Sequence, residues 1–103
     1  MRRISILGST GSVGISTLTL IEETLKAGED YVIEALCAGR NATLLAEQAR
    51  KFRPAITVLA DESQWPLFQE LMQGSGLEIS CGAAAITEAA ERKADWVMAA
   101  IVG

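Results

Sequence analysis

Short apolar runs alternate along the chain with stretches of helical period, and the order of elements they predict is βαβαβαβαβ. Residues 3–7, with Ile4, Ile6 and Leu7, form the first strand. From about Ser12 to Lys26, Gly14, Leu18, Ile21 and Leu25 recur at spacings of 4, 3 and 4, which lines one inward face of a helix. Ala27-Gly28 ends that helix, and Tyr31 to Ala38 is the second strand. The second helix runs from about Ala42 to Phe52, turns Leu45, Ala49 and Phe52 inward, and stops before Pro54. Ile56 to Ala60 is the third strand. The third helix begins near Ser63 with Pro66 in its first turn, where a missing amide costs little. It buries Phe68, Leu71 and Met72 and closes at Gly74-Ser75-Gly76. Leu77 to Cys81 places Leu, Ile and Cys on one face, as a strand near a sheet edge does. The alanine-rich segment Ala83 to Lys93 is the fourth helix, and Trp96 to Val102 the fifth strand.

Strands alternating with helices in 103 residues imply right-handed crossovers and an α/β fold. The expected architecture is a Rossmann-like, doubly wound parallel sheet of about five strands and four helices, in a single domain spanning 1–103. Half of the residues are hydrophobic and only 5% aromatic, a mix suited to strands covered on both faces. The last strand is followed by no helix to cover its far side, which predicts that the chain is a piece of a longer protein.

A net charge of −4 gives no broad basic surface for DNA, RNA or an anionic membrane. No apolar run approaches the ~18 residues that span a bilayer. Arg2-Arg3 precede only about four apolar positions before Gly8, short of the ~7–15 of a secretory h-region. The two cysteines, Cys37 and Cys81, fall in apparent strands without metal-ligand spacing, and the chain has no histidine. Both are expected to be buried, reduced thiols, which places the protein in the cytoplasm.

The chemistry concentrates where the first strand meets the first helix. Gly8, Gly11 and Gly14 are spaced G-x-x-G-x-x-G between an apolar strand and an amphipathic helix. Amides at a helix start are unpaired donors at the positive end of the helix dipole, so a pyrophosphate sits there favourably. Glycines let the backbone turn sharply and approach the phosphates. The amides of Thr10, Gly11, Ser12 and Val13 are the candidate donors, with the Thr10 and Ser12 hydroxyls as further ones. Gly14 lies on the inward stripe, where a missing side chain lets the helix press on the sheet. The spacing differs from the G-x-G-x-x-G associated mainly with NAD, and a P-loop is excluded because no G-x-x-x-x-G-K-[ST] occurs, residue 15 being Ile.

A second clue follows the second strand. A carboxylate there would take the ribose 2′-hydroxyl of NAD, but this chain has Gly39-Arg40-Asn41. Arg40 is a permanent cation with a fork of donors suited to a phosphate, and Asn41 adds an amide donor while able to cap the second helix. Gly39 leaves the wall open for the adenosine. Together the loops favour NADP(H) over NAD(H). Elsewhere, Asp61 or Ser63 caps the third helix, Trp65 and Trp96 pack, and Glu22-Glu23 forms a solvated helix face. With no histidine there is no Ser-His-Asp or Cys-His arrangement, and no metal constellation is apparent.

Four segments extend this reading: Ile6-Leu-Gly-Ser-Thr-Gly-Ser-Val-Gly14, Ser16-Thr17-Leu18, Ala38-Gly-Arg-Asn41 and Val97-Met-Ala-Ala-Ile-Val-Gly103. In order and spacing they resemble the N-terminal region of the 1-deoxy-D-xylulose 5-phosphate reductoisomerase family, over essentially the whole chain, and the last segment is the most family-specific. The resemblance implies an NADPH- and Mg²⁺- or Mn²⁺-dependent oxidoreductase that rearranges and reduces deoxyxylulose phosphate to methylerythritol phosphate in isoprenoid biosynthesis. It implies Thr10, Gly11, Ser12, Val13, Gly39, Arg40 and Asn41 as NADPH-binding residues. Where the family often carries Lys, this chain has Arg40, which keeps the cation with altered geometry. Val13 stands for a frequent Ile and contributes its amide.

By the same resemblance the partner is a phosphorylated sugar, with no nucleic acid and no membrane, and the parent enzyme is a homodimer. Ala100-Ile101-Val102-Gly103, at the carboxyl end of the fifth strand, would reach the nicotinamide. The family's metal ligands, substrate-phosphate groups and flap lie beyond residue 103. No catalytic or metal-binding residue is therefore assigned here, and the isolated chain is expected to bind NADPH weakly if at all and turn nothing over. Two alternatives stand beside this reading: another NADP-dependent dehydrogenase of the aspartate-semialdehyde-dehydrogenase type, and a non-catalytic nucleotide-sensing module.

Overall fold

A computed structural model describes residues 2–28 and 30–99. In chain order the elements are β1 (Arg2–Leu7), α1 (Ser12–Lys26), β2 (Tyr31–Ala38), α2 (Ala42–Phe52), β3 (Ile56–Leu59), a 3₁₀ turn (Glu62–Gln64), α3 (Trp65–Leu71), β4 (Ile79–Cys81), α4 (Ala83–Glu91) and β5 (Trp96–Ala99). The strands pair in parallel in the order β4-β3-β2-β1-β5. Helices cover both faces. Leu18 and Ile21 of α1, Leu45 and Ala49 of α2, and Phe68 of α3 pack on Ile4, Ile6 and Leu36. On the other face Ala89 of α4 packs with Leu7, Ala35, Cys37 and Val58. The sheet is therefore doubly wound, as the alternation of elements predicts.

The first three crossovers step outward from β1, and α4 then carries the chain back to the far side of β1. Strand order thus reverses at β1. In open α/β sheets such a reversal leaves a crevice beyond the carboxyl ends of the strands. The glycine turn after β1 opens into that place.

Local chemistry sets several element ends. The Asn41 side chain accepts from the Leu44 amide at 3.2 Å and caps α2. At its other end Arg53 takes a left-handed φ of 50°, ahead of Pro54. Pro66 lies in the first turn of α3, and Asp61 accepts from the Ser63 amide at 2.9 Å to cap the 3₁₀ turn before it.

β2 contains a bulge. Ile4 pairs with Ile33 and Ser5 with Ala35, so Glu34 is the extra residue. Its effect on the core is visible in the faces of the strand. Ile33, Leu36 and Ala38 belong to the cluster under α1–α3, whereas Ala35 and Cys37 face α4. Glu34 is 5% exposed, yet its carboxylate accepts from Arg3 at 2.9 Å and from Arg92 at 2.7 Å. Burial pushes that carboxyl up, but the two guanidinium groups outweigh burial and hold it below its ordinary value.

The structure corrects the sequence reading at five points. Leu25 is exposed rather than part of the inward stripe, whose buried positions on α1 end at Ile21. Trp96 is 57% exposed on β5, with Arg2 stacked over its ring at 5.9 Å, so it is not a core residue. Cys81 is half-buried on the edge strand, whereas Cys37 is fully buried, and both are free thiols. Glu22 is not merely solvated: it joins α1 to α2 by accepting from Lys51 at 2.7 Å. Helix boundaries shift as well, since the 3₁₀ turn precedes α3, and α4 ends at Glu91. Residues 100–102 of the expected fifth strand, and the nicotinamide role of 100–103, lie outside the described residues.

Candidate functional site

The glycine turn is built against β2. The amides of Gly8 and Ser9 both donate to the Cys37 carbonyl, at 2.6 and 2.9 Å. Gly8 has a φ of 94°, a left-handed conformation that favours glycine. The Gly11 amide closes the turn on the Gly8 carbonyl at 3.2 Å, and the first amide of α1 to find a partner, that of Ile15, donates to Gly11 at 2.9 Å. Among the described residues the amides of Thr10, Ser12 and Val13 make no hydrogen bond. Of the four amides expected to receive a pyrophosphate, Gly11's is thus already engaged within the turn, and three are unpaired.

The start of α1 also lacks the usual means of satisfying its amides. Its N-cap is Gly11, with no side-chain hydrogen bond, and its first turn has no acidic residue. The positive end of a 15-residue helix is therefore uncompensated. Gly11, Ser12 and Val13 are exposed and Thr10 half-buried, so this end opens to solvent. The three glycines serve different purposes. A Cβ on Gly14 would lie 2.3 Å from the Gly8 carbonyl oxygen, so Gly14 lets α1 seat on the turn. A Cβ on Gly11 would meet only the Gly8 oxygen, at 3.6 Å, an ordinary contact. That position is free for the fold.

The second loop follows β2 directly. Leu7 and Cys37 are paired in the sheet, so Gly39-Arg40-Asn41 emerges beside the glycine turn at the same end. A Cβ on Gly39 would meet nothing within 4 Å. Arg40 is exposed. Its charge reaches Asp61 at the end of β3, whose carboxyl is held below its ordinary value mainly by hydrogen bonds from Ser63, with Arg40 adding to them. Asn41 caps α2 with its oxygen. The Asn41 side-chain NH₂ makes no hydrogen bond among the described residues. The fold thus brings both candidate segments to one end of the sheet, beside the strand-order reversal. An elongated anion with phosphates at two points fits these donors.

One residue of this region escaped the sequence reading. Gln48 of α2 is buried and donates from Nε2 to the Ser9 carbonyl at 2.8 Å. Its signal was present: with Leu45, Ala49 and Phe52 it lies at i, i+3, i+4 and i+7, a polar residue on an inward stripe. Among the described residues no group of three or more His, Cys, Asp or Glu could hold a metal ion, and no helix is long and apolar enough to cross a membrane.

Comparison with known proteins bears on the same residues. The sequence profile of the 1-deoxy-D-xylulose 5-phosphate reductoisomerase family matches residues 4–103. A relative of that name from Rhizobium meliloti (strain 1021) is 50% identical over 102 residues, covering 99% of this chain and 26% of the relative. One from Rhodospirillum centenum is 48% identical over 103 residues, covering 100% of this chain and 25% of its own length. The chain thus spans about a quarter of the curated relatives it matches. Among solved structures, the reductoisomerase of Zymomonas mobilis in complex with NADPH superposes with a TM-score of 0.91 at 44% identity, covering 99% of this chain and 26% of that one. Another reductoisomerase, bound to NADPH, fosmidomycin and magnesium, superposes with a TM-score of 0.87 at 30% identity, covering 100% and 25%. A match this extended, in sequence and in backbone, sets aside the aspartate-semialdehyde-dehydrogenase-type alternative. This chain belongs to the 1-deoxy-D-xylulose 5-phosphate reductoisomerase family.

Proposed function

We propose that this chain forms the NADPH-binding part of an enzyme that converts 1-deoxy-D-xylulose 5-phosphate to 2-C-methyl-D-erythritol 4-phosphate. The observation that carries the reading is the open, uncapped start of α1, with three unpaired amides, beside an exposed arginine on the adjacent loop. Thr10, Ser12 and Val13 would donate their amides to the pyrophosphate, and Gly11 would leave its surface clear for it. The Thr10 and Ser12 hydroxyls would add donors. Arg40 would take the ribose 2′-phosphate through its guanidinium fork, with the Asn41 side-chain NH₂ beside it and Gly39 leaving room for the adenosine. When bound, NADPH supplies the hydride for the reduction.

The contribution of this chain to catalysis is then placement. It fixes the dinucleotide at its two phosphate groups, so that the reactive end is held in one position relative to the substrate. The ligands for magnesium or manganese and for the sugar phosphate would come from outside the described residues, and by themselves the 103 residues would turn nothing over. The reading carries with it a cytoplasmic, homodimeric enzyme acting on a phosphorylated sugar.

The test is a calorimetric titration of the full-length protein with NADPH and with NADH. NADPH should bind at least roughly tenfold more tightly, the worth of one charge-assisted pair at an exposed site. Arg40→Ala should erase that difference by weakening NADPH alone. Equal affinities in the unaltered protein, or an Arg40→Ala variant that retains the preference, would overturn the assignment.

A further inference from the structure

Gln48 is 8% exposed on the inward side of α2, and its Nε2 reaches the Ser9 carbonyl at 2.8 Å across 39 positions of sequence. Ser9 is fully buried, so that carbonyl is directed into the protein. A trans peptide unit is planar, and its C=O and N–H point in opposite directions. The Ser9 carbonyl and the Thr10 amide belong to one such unit, and no described peptide bond is cis. Holding the carbonyl inward therefore turns the Thr10 N–H outward, to the mouth of the turn, where it has no partner among the described residues.

We propose that Gln48 is a positioning residue for the dinucleotide: its buried amide aims the Thr10 N–H at the pyrophosphate. The proposal rests on the NADPH reading above and adds a residue to it from outside both loops. It also makes α2 common to the two halves of the site. The N-terminus of that helix presents Asn41 to the ribose side, and its middle orients the phosphate side. Core packing alone does not call for an amide here. Gln48 Oε1 and Ser9 Oγ are both buried without a partner, an arrangement that an apolar side chain of the same length would partly relieve. What such a side chain could not supply is the N–H to Ser9.

The experiment uses the full-length protein, unaltered and as Gln48→Met, which keeps the length and removes the donor. Each is titrated calorimetrically with NADP⁺ and with adenosine 2′-monophosphate, which carries the ribose phosphate but no pyrophosphate. Gln48→Met should weaken NADP⁺ about tenfold, the loss of one well-aimed hydrogen bond to a charged group, and leave adenosine 2′-monophosphate unchanged. NADP⁺ binding within twofold of the unaltered protein, or an equal loss for both ligands, overturns the positioning role while leaving the NADPH reading intact. Failure of the unaltered protein to bind NADP⁺ overturns both. A second measurement needs no variant. In ¹⁵N-labelled unaltered protein, saturation with NADP⁺ should shift the Thr10 amide resonance together with those of Ser12 and Val13. Ser12 and Val13 moving while Thr10 stays still also overturns the proposal.

Discussion

Replacing Gly14 with alanine measures how tightly α1 is seated on the turn that follows β1. The added Cβ would stand 2.3 Å from the Gly8 carbonyl oxygen and 2.6 and 2.8 Å from the Ser9 Cα and carbonyl carbon. Non-bonded carbons prefer about 3.5–4.0 Å, so roughly 1 Å of movement is needed. All the obstacles are backbone, and no rotamer change can relieve them. That backbone is itself held by two amides on the Cys37 carbonyl and by Gln48 on the Ser9 carbonyl.

Two effects of opposite sign follow. Alanine favours a helix interior over glycine by roughly 0.8–1.0 kcal/mol. Overpacking costs about 1–3 kcal/mol, and this site falls at the upper end because helix and turn must separate. The net expectation is a loss of about 2 kcal/mol, or a fall in melting temperature of roughly 8–16 °C for a domain of this size. Thermal denaturation followed by circular dichroism is the assay, with Gly11→Ala as its control. Gly11 has φ −78° and ψ 169°, which any residue adopts, and open space for a Cβ. Its replacement should leave the melting temperature unchanged or slightly raised. A Gly14→Ala protein that melts with the unaltered one would refute the reasoning.

Acid should find Glu34. Its carboxyl is held low in the folded protein, so its contribution is present above the unfolded value of about 4.3 and disappears as pH falls through the folded one. Urea denaturation from pH 7 downward should therefore show a loss below about pH 4.3 that Glu34→Gln reduces, and an unchanged acid limb in that variant would contradict the assignment. At neutral pH, Arg92→Ala should cost about 1 kcal/mol in the same denaturation assay. The buried-pair figure of roughly 3–5 kcal/mol is discounted because the Arg92 side chain is 40% exposed and Arg3 remains. Burial pushes the Cys37 thiol up to about 12, so iodoacetamide at pH 8 should leave it unmodified until the protein unfolds. Peptide mapping that finds Cys37 alkylated in the native protein would be the contrary result.

The parts of this molecule that the sequence announces are those whose chemistry is local. α1, β2 and α2 begin and end where the sequence reading puts them, because Gly28, the Asn41 cap and Pro54 act within a few residues of the boundary they set. The G-x-x-G-x-x-G turn is legible for the same reason. What escapes is decided by neighbours distant in sequence. β4 has only three residues because it pairs just with Thr57, Val58 and Leu59 of β3. The Glu34 bulge depends on the register of β1, and the ion pairs that make a carboxylate tolerable there come from Arg3 and Arg92. A lone acid inside Tyr-Val-Ile-Glu-Ala-Leu-Cys-Ala was the only warning of it. Gln48 is similar: its polarity on an inward stripe is visible, but its target lies 39 residues away.

The bulge in β2 makes that strand's coding phase asymmetric. Before residue 34 odd positions look toward α1–α3, and beyond it even positions do. Deleting Glu34 would shorten the strand by one residue and also merge the two phases. With 34 gone, Ile33 would directly precede Ala35 and still look toward α1–α3. Both halves would keep their faces and their partners on β1, and only the carboxylate that holds Arg3 and Arg92 would be lost. A gene carrying that deletion would thus keep the frame of both layers of side chains and lose only an anchor for two arginines.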